Sequence, residues 1–153
     1  LPATSTGMAG DTSVSQQNTV RRFGFESLTN YQWCHLAPAD RDYQEWGDMA
    51  SAYYEKFDRE FDVPYFPHVS IGWDPNPRYP EGVQPCVTGS TPERFEAFLR
   101  RAKAYVDAHP DQPPLITINA WNEWAEGSGL EPDSLNGYGY LEAVKRVFKT
   151  AER

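Results

Sequence analysis

The run over residues 119–127 (NAWNEWAEG) contains two glutamates, Glu123 and Glu126, flanked by Trp121 and Trp124. Their three-residue spacing would send the carboxylates to opposite faces of a strand, but one helical turn points both the same way. One carboxyl could then protonate a glycosidic oxygen while the other acts as base or nucleophile. Two solvated glutamates on a surface turn are the alternative. The adjacent tryptophans favour a functional site, because large exposed aromatic side chains are otherwise unexplained.

Five further residues are weaker candidates for binding a sugar. Arg78 could bind a hydroxyl or carboxylate, or be an ordinary surface arginine. Asp74 could bind hydroxyls or simply form a turn, and Trp73 could stack on a sugar or pack in the core. Asn122 lies inside the glutamate run, where it also favours a turn. Tyr31 follows the first predicted strand, and a structural role is its alternative.

Composition narrows the classes of function. The chain has 153 residues, a net charge of −8 and a mean hydropathy of −0.69. This acidic balance argues against binding to nucleic acid or to an anionic membrane, and no apolar run approaches the ~20 residues of a membrane helix.

We expect neither a metal nor another cofactor, because the sequence has no metal-ligand spacing and no glycine-rich phosphate loop. Cys34 and Cys86 could form a disulfide or remain free thiols. The chain does not begin with Met, so the compartment stays open.

The elements that must position these residues alternate along the chain. Residues 1–22 are expected to be a loop or mobile arm. Strands are predicted near 23–28, 65–72 and 115–119. Helices are predicted over 46–61, from Ser90 or Thr91 to about 109 with Ser90 and Glu93 as a capping box, and near 141–148. Such alternation predicts an α/β fold with parallel strands, either a small open sheet or half of a (β/α) barrel. In both, chemistry takes place at the carboxyl ends of the strands, where the candidate residues lie.

Three segments carry a family resemblance, and a fourth supports it. The runs 118–127, 130–133 and 137–141 resemble the C-terminal part of the WbsX-like proteins and of the related endo-α-mannosidases of glycoside hydrolase family 99. Residues 72–78 resemble a second family segment, although Pro75 and Asn76 alter its middle. The likeness covers most of residues 23–149.

The resemblance implies a (β/α)8 TIM-type barrel, of which residues 23–153 would form only the C-terminal half, since a whole barrel needs ~250 residues. It also implies retaining hydrolysis of an α-linked, mannose-type glycan, with Glu123 as base on the sugar 2-hydroxyl and Glu126 as acid and then base. A glycosyltransferase of O-antigen or capsule biosynthesis and a non-catalytic glycan-binding module are the alternatives. Because a half barrel has unpaired strand edges, we expect the missing N-terminal half or a second copy as a partner.

Overall fold

A computed structural model describes residues 12–149. The helices are α1 (Thr12–Phe23), α2 (Tyr43–Ser51), α3 (Tyr53–Glu60), α4 (Pro92–Asp107) and α5 (Gly139–Phe148). The strands are β1 (Leu28–Thr29), β2 (Tyr65–Phe66), β3 (His68–Ser70), β4 (Thr117–Asn119), β5 (Asn122–Glu123) and β6 (Ser128–Gly129). Single turns of 3-10 helix lie at Trp33–His35, Asn76–Arg78 and Trp124–Glu126.

The strands that support the site form small parallel sheets. β1 pairs with β2, and β3 pairs with β4, in both cases in parallel. Pro67 separates β2 from β3 because it has no N–H to donate to a ladder, while its carbonyl still accepts from the amide of Thr117 at 3.0 Å. Helices α2 and α3 connect β1 to β2, and α4 connects β3 to β4. The mixed α/β architecture predicted from the alternation is thereby confirmed; the half barrel stays a prediction.

One face of these strands packs against the helices. Val69 and Ile118 are cross-strand partners on this face, and both join the hydrophobic core. The core is rich in aromatic rings, and Trp33 meets both Trp46 and Phe98 edge-on at centroid distances of 5.2 Å. We call the buried cluster made by the following residues the aromatic core: Trp33, Tyr43, Trp46, Tyr54, Tyr65, Phe95, Phe98 and Tyr105.

The opposite face of the strands carries hydrogen-bonding side chains. We call Thr29, His68, Ser70, Thr117 and Asn119 the polar face. The Thr117 hydroxyl lies 2.9 Å from both the Thr29 hydroxyl and Nδ1 of His68, and Nε2 of His68 lies 3.2 Å from the Ser70 hydroxyl. The Asn119 amide is buried without a hydrogen-bond partner in the described part of the chain. Strand alternation thus separates an apolar side from a polar one.

Two expectations about the N-terminal part of the chain were wrong. Residues 12–22 were expected to be a loop, but they belong to helix α1; residues 1–11 lie outside the described residues. The segment has no apolar stripe, and Val20 is its one buried apolar side chain among those described. Its Arg21 forms an ion pair with Asp62. The strand expected near 23–28 is confined to Leu28–Thr29.

The helix expected over 46–61 begins earlier and is divided at Ala52 into α2 and α3. It begins at Tyr43 because the Asp42 carboxylate accepts from the amide of Gln44 and caps the helix. Helix α4 is capped by Thr91, whose hydroxyl accepts from the amide of Arg94, and not by a Ser90–Glu93 box. Both cysteines are free, as one of the two alternatives predicted.

Candidate active site

The glutamate run folds back on itself directly after β4. Strands β5 and β6 pair antiparallel, with Glu123 opposite Ser128, and a 3-10 turn connects them. Gly127 ends this turn at φ 60°, a left-handed conformation that glycine adopts without steric cost. The turn places Glu123 and Glu126 on the same side, as their spacing predicts for a helical turn.

The loop that follows β3 packs against this turn. The amide of Asp74 donates to the carbonyl of Glu126 at 2.7 Å, and the Ser128 hydroxyl donates to the carbonyl of Gly72 at 2.6 Å. A Cβ on Gly72 would lie 2.7 Å from the carbonyl oxygen of Gly127, so the two backbones approach closely because position 72 has no side chain. These contacts hold the carboxyl ends of β3 and β4 together.

Arg78 contacts both glutamates. Its Nη2 lies 2.9 Å from Oε1 of Glu123, and its Nη1 lies 2.7 Å from Oε1 of Glu126. The side chain of Glu126 is only 11% exposed, whereas those of Glu123 and Arg78 are about one-third and one-half exposed. A single guanidinium therefore holds the two carboxyl groups next to each other.

Gln32 is a site residue that the sequence analysis missed. It is buried directly after Tyr31, and its Nε2 donates to Oε2 of Glu126 at 2.5 Å. Both oxygens of the Glu126 carboxylate thus have a partner: Oε2 accepts a hydrogen bond from Gln32, and Oε1 forms an ion pair with Arg78. Its place at the end of the first strand was the available signal, but nothing in the sequence indicates which neighbour of Tyr31 turns inward.

The aromatic candidates differ in their surroundings. Trp121 is 55% exposed and Trp124 is 48% exposed. The Trp124 ring packs on Gly129, and its indole N–H donates to Oε2 of Glu131 at 2.8 Å, which fixes the orientation of the ring. Trp73 is half-buried against the aromatic core, and Tyr31 is exposed.

The two remaining candidates take part in local structure. Oδ1 of Asp74 accepts from both the backbone and the side-chain nitrogen of Asn76, at 3.0 and 2.6 Å. Asn76 in turn is bound to the backbone of Gln84 through its amide oxygen and nitrogen. Asp74 therefore organises the loop that carries Arg78. Asn122 is exposed in β5.

An open cleft of about 410 Å³ begins at Arg78. It is lined by Arg78, Tyr79, Pro80, Glu81, Gly82 and Gln84. Within residues 12–149, no group of three or more His, Cys, Asp or Glu side chains is placed to hold a metal ion. In the same part of the chain, no helix is both long and apolar enough to cross a membrane.

Comparisons with known proteins identify the family. Residues 4–144 match the model of the family described as glycosyltransferase WbsX. The uncharacterized protein WxcX is 33% identical over 111 residues in two strains of Xanthomonas campestris pv. campestris, ATCC 33913 and B100. This match covers 72% of the chain but 16% of the relatives' length, so the chain spans a small part of them.

A solved structure described as a glycoside hydrolase-like protein shares the fold. The TM-score is 0.51 and the sequence identity is 17%, and the match covers 94% of this chain and 51% of the other. The resemblance expected from the motifs is confirmed by these matches. The chain belongs to the carbohydrate-active WbsX family.

Proposed function

We propose that Glu123 and Glu126 form the acid/base pair of an enzyme that hydrolyses an α-linked, mannose-type glycan with retention of configuration. The observation that carries this proposal is the shared contact of both carboxylates with Arg78. Two carboxylates within reach of one guanidinium are close enough to act on a single sugar residue. Glycoside hydrolysis needs such a pair, one to donate a proton and one to accept it.

The roles within the pair follow the family resemblance. Glu123 takes the proton of the sugar 2-hydroxyl, and O2 forms a bond to the anomeric carbon. Glu126 must take up a proton on substrate binding, since in the free protein it is paired with Arg78, and it gives that proton to the leaving oxygen as the glycosidic bond breaks. Water then attacks the anomeric carbon and gives a proton to Glu126, while the bond to O2 breaks and O2 regains its proton from Glu123. Both carboxyl groups thereby return to their starting states.

Arg78 must release one of its two ion pairs, the one with Glu123, when a sugar binds. Its pair with Glu123 lies at the surface, and such exposed ion pairs contribute only about 0–1 kcal/mol. Sugar hydroxyls can therefore replace this contact at small cost. Trp121 and Trp124 supply exposed rings beside the pair, on which the apolar face of a sugar can stack. Asn122 and Tyr31 are exposed polar groups available to its hydroxyls, while Trp73 and Asp74 support the loop.

We propose further that the described chain forms the C-terminal half of a (β/α) barrel. Its parallel strands pair in sequence order, β1 with β2 and β3 with β4, as in a barrel, and their polar face includes the exposed Thr29. The edges of β1 and β4 are then the places where the N-terminal half, or a second copy, adds strands. Light scattering tests this: a complex or oligomer supports it, and a compact 17.4 kDa monomer opposes it.

Transfer of a sugar to a growing polysaccharide is the second candidate, and the description of the matching family model favours it. The sequence has one Asp-x-Asp triplet, at 40–42, a pattern found in nucleotide-sugar transferases. The structure uses Asp42 to cap helix α2 and to pair with Arg94 at 2.7 Å. Asp40 pairs with Arg41, so both carboxylates of the triplet have a role in local structure. This use of the triplet favours hydrolysis.

Product analysis on mannose-containing glycans distinguishes the candidates. Hydrolysis releases new reducing ends, transfer lengthens an added acceptor, and a binding module does neither. We expect new reducing ends from the wild type and a loss of about 10²–10⁴-fold in Glu123→Gln and Glu126→Gln. Glu55→Gln, the same change on the exposed face of α3, is the matched control and should keep full activity. Glycan binding without turnover by the chain completed with its N-terminal half would contradict the proposed function.

A further inference from the structure

Gln32 occupies a backbone conformation that is uncommon for its residue type. Its φ is 65° and its ψ is 140°, whereas residues with a side chain rarely adopt positive φ. The side chain is nevertheless almost fully buried, with a relative exposure of 1%. Such conformations persist where surrounding contacts determine them, and they cluster at functional sites.

The two hydrogen bonds of the Gln32 side chain form a chain of donors that runs from Cys34 to Glu126. The Cys34 thiol donates to Oε1 of Gln32 with the sulfur 3.1 Å away, and Nε2 of Gln32 donates to Oε2 of Glu126 at 2.5 Å. An amide has a donor end and an acceptor end, so a donor on Oε1 leaves the nitrogen facing the carboxylate. Packing alone does not require an amide at position 32. A methionine of similar length would fill the same space but leave the carboxylate oxygen of Glu126 without a donor.

We propose that Gln32 is the positioning residue of Glu126, and that the Cys34 thiol determines which end of the Gln32 amide faces the carboxylate. The inference rests on the proposed function for its catalytic meaning. Gln32 touches no substrate in this account. It acts by holding Oε2 of Glu126 while Arg78 contacts Oε1, which fixes the carboxylate plane relative to Glu123.

The protonation state of the Cys34 thiol agrees with its role as a donor to Gln32. Burial, and then the nearby negative charge of Glu126, raise the pKa of Cys34 to about 12. The sulfur therefore keeps its proton at neutral pH and remains a donor to Gln32. A thiolate could only accept, and it would turn the amide the other way. Cys34 thus differs from a reactive cysteine, whose thiolate is stabilised.

Two substitutions at Cys34 separate orientation from packing. Cys34→Ser keeps a donor of similar size, and Cys34→Ala removes the donor. Cys86→Ser is the matched control, because it makes the same change at the other cysteine, whereas the hydrogen bond to Gln32 comes from Cys34. Gln32→Met identifies the amide signal of Gln32 by its disappearance, and circular dichroism verifies that each variant is folded.

The first measurement is the 1H–15N spectrum of the full chain and needs no substrate. We expect the Gln32 side-chain amide signal to move in Glu126→Gln, to move similarly in Cys34→Ala, and to stay near its wild-type position in Cys34→Ser and Cys86→Ser. An amide signal that ignores Glu126→Gln, or that responds equally to serine and alanine at position 34, would overturn the proposal.

The second measurement is turnover of a mannose-containing glycan that the product analysis shows to be hydrolysed. We expect kcat to fall about three- to tenfold in Cys34→Ala with KM within about twofold, and to be restored in Cys34→Ser, because one weak buried hydrogen bond is lost. Equal kcat values in the serine and alanine variants would contradict the positioning role. Absence of turnover by the chain completed with its N-terminal half would overturn the proposed function alone, since the amide spectrum still decides the arrangement.

Discussion

The two faces of the short parallel strands are stabilised in different ways. The side that meets the helices is filled by the aromatic core, whose rings pack edge-on and exclude water. The polar face is held by hydrogen bonds among hydroxyls and one imidazole, and it leads to the glutamates at the carboxyl ends of the strands. The first side is buried against helices of the described part of the chain. The second retains an exposed threonine and an unpartnered buried amide, a pattern typical of a surface that serves a site.

The same substitution in the two regions should show the contrast most clearly. Trp33→Ala removes a fully buried ring and should lower the free energy of unfolding by about 3–5 kcal/mol. Trp121→Ala removes a ring that is more than half exposed and should change that free energy by about 0.5 kcal/mol or less, while weakening glycan binding. Urea denaturation measures both. Similar losses in the two variants would contradict the division of roles.

The polar face should be the acid-sensitive side. Burial lowers the pKa of His68 from 6.5 to about 4, so the folded protein keeps the ring neutral while the unfolded chain takes up a proton. The stability this provides is present above pH 6.5 and is lost as the pH falls towards 4, by about 3 kcal/mol in all.

Urea denaturation at several pH values measures this loss. His68→Asn should remove it, and the exposed His35→Asn should leave the wild-type pH dependence unchanged. If the wild type and His68→Asn lose stability in parallel between pH 6.5 and 4, His68 is not the group responsible.

Much of the fold could be predicted from the sequence because periodic apolar residues carry the information. The stripe of α4 was predicted in place, and the strand predicted over 115–119 lies at Thr117–Asn119. Helix α1 could not be predicted from its pattern, because Val20 is the one buried apolar side chain among those of α1 that the structure describes. The division at Ala52 and the break at Pro67 depend on packing between elements, which a single stretch of sequence does not encode.

The candidate site was predicted in part. The glutamates stand out because their spacing suits one turn, and Arg78 because it lies in a second motif. That Arg78 contacts both glutamates depends on the loop organised by Asp74 and Asn76, over 40 residues away from Glu123. Gln32 was missed because its role depends on a positive φ and on a partner 94 residues distant.

A small effect on stability is expected at the ion pairs of the site. Arg78→Gln should change the free energy of unfolding by less than about 1 kcal/mol, because nearly half of the arginine side chain is exposed to solvent. Arg100→Gln, which removes a comparably exposed partner of Glu96 on α4, is the control and should behave alike. A loss of 3 kcal/mol or more in Arg78→Gln would make these pairs part of the folded framework.

The most direct test of a catalytic Glu126 is to measure turnover and the free energy of unfolding on one preparation of Glu126→Gln. We expect turnover to fall about 10²-fold or more, while the free energy of unfolding falls by less than about 2 kcal/mol, because the amide still bonds to Gln32. A large loss of stability, with activity falling only in proportion to the unfolded fraction, would contradict this account and make Glu126 a structural residue.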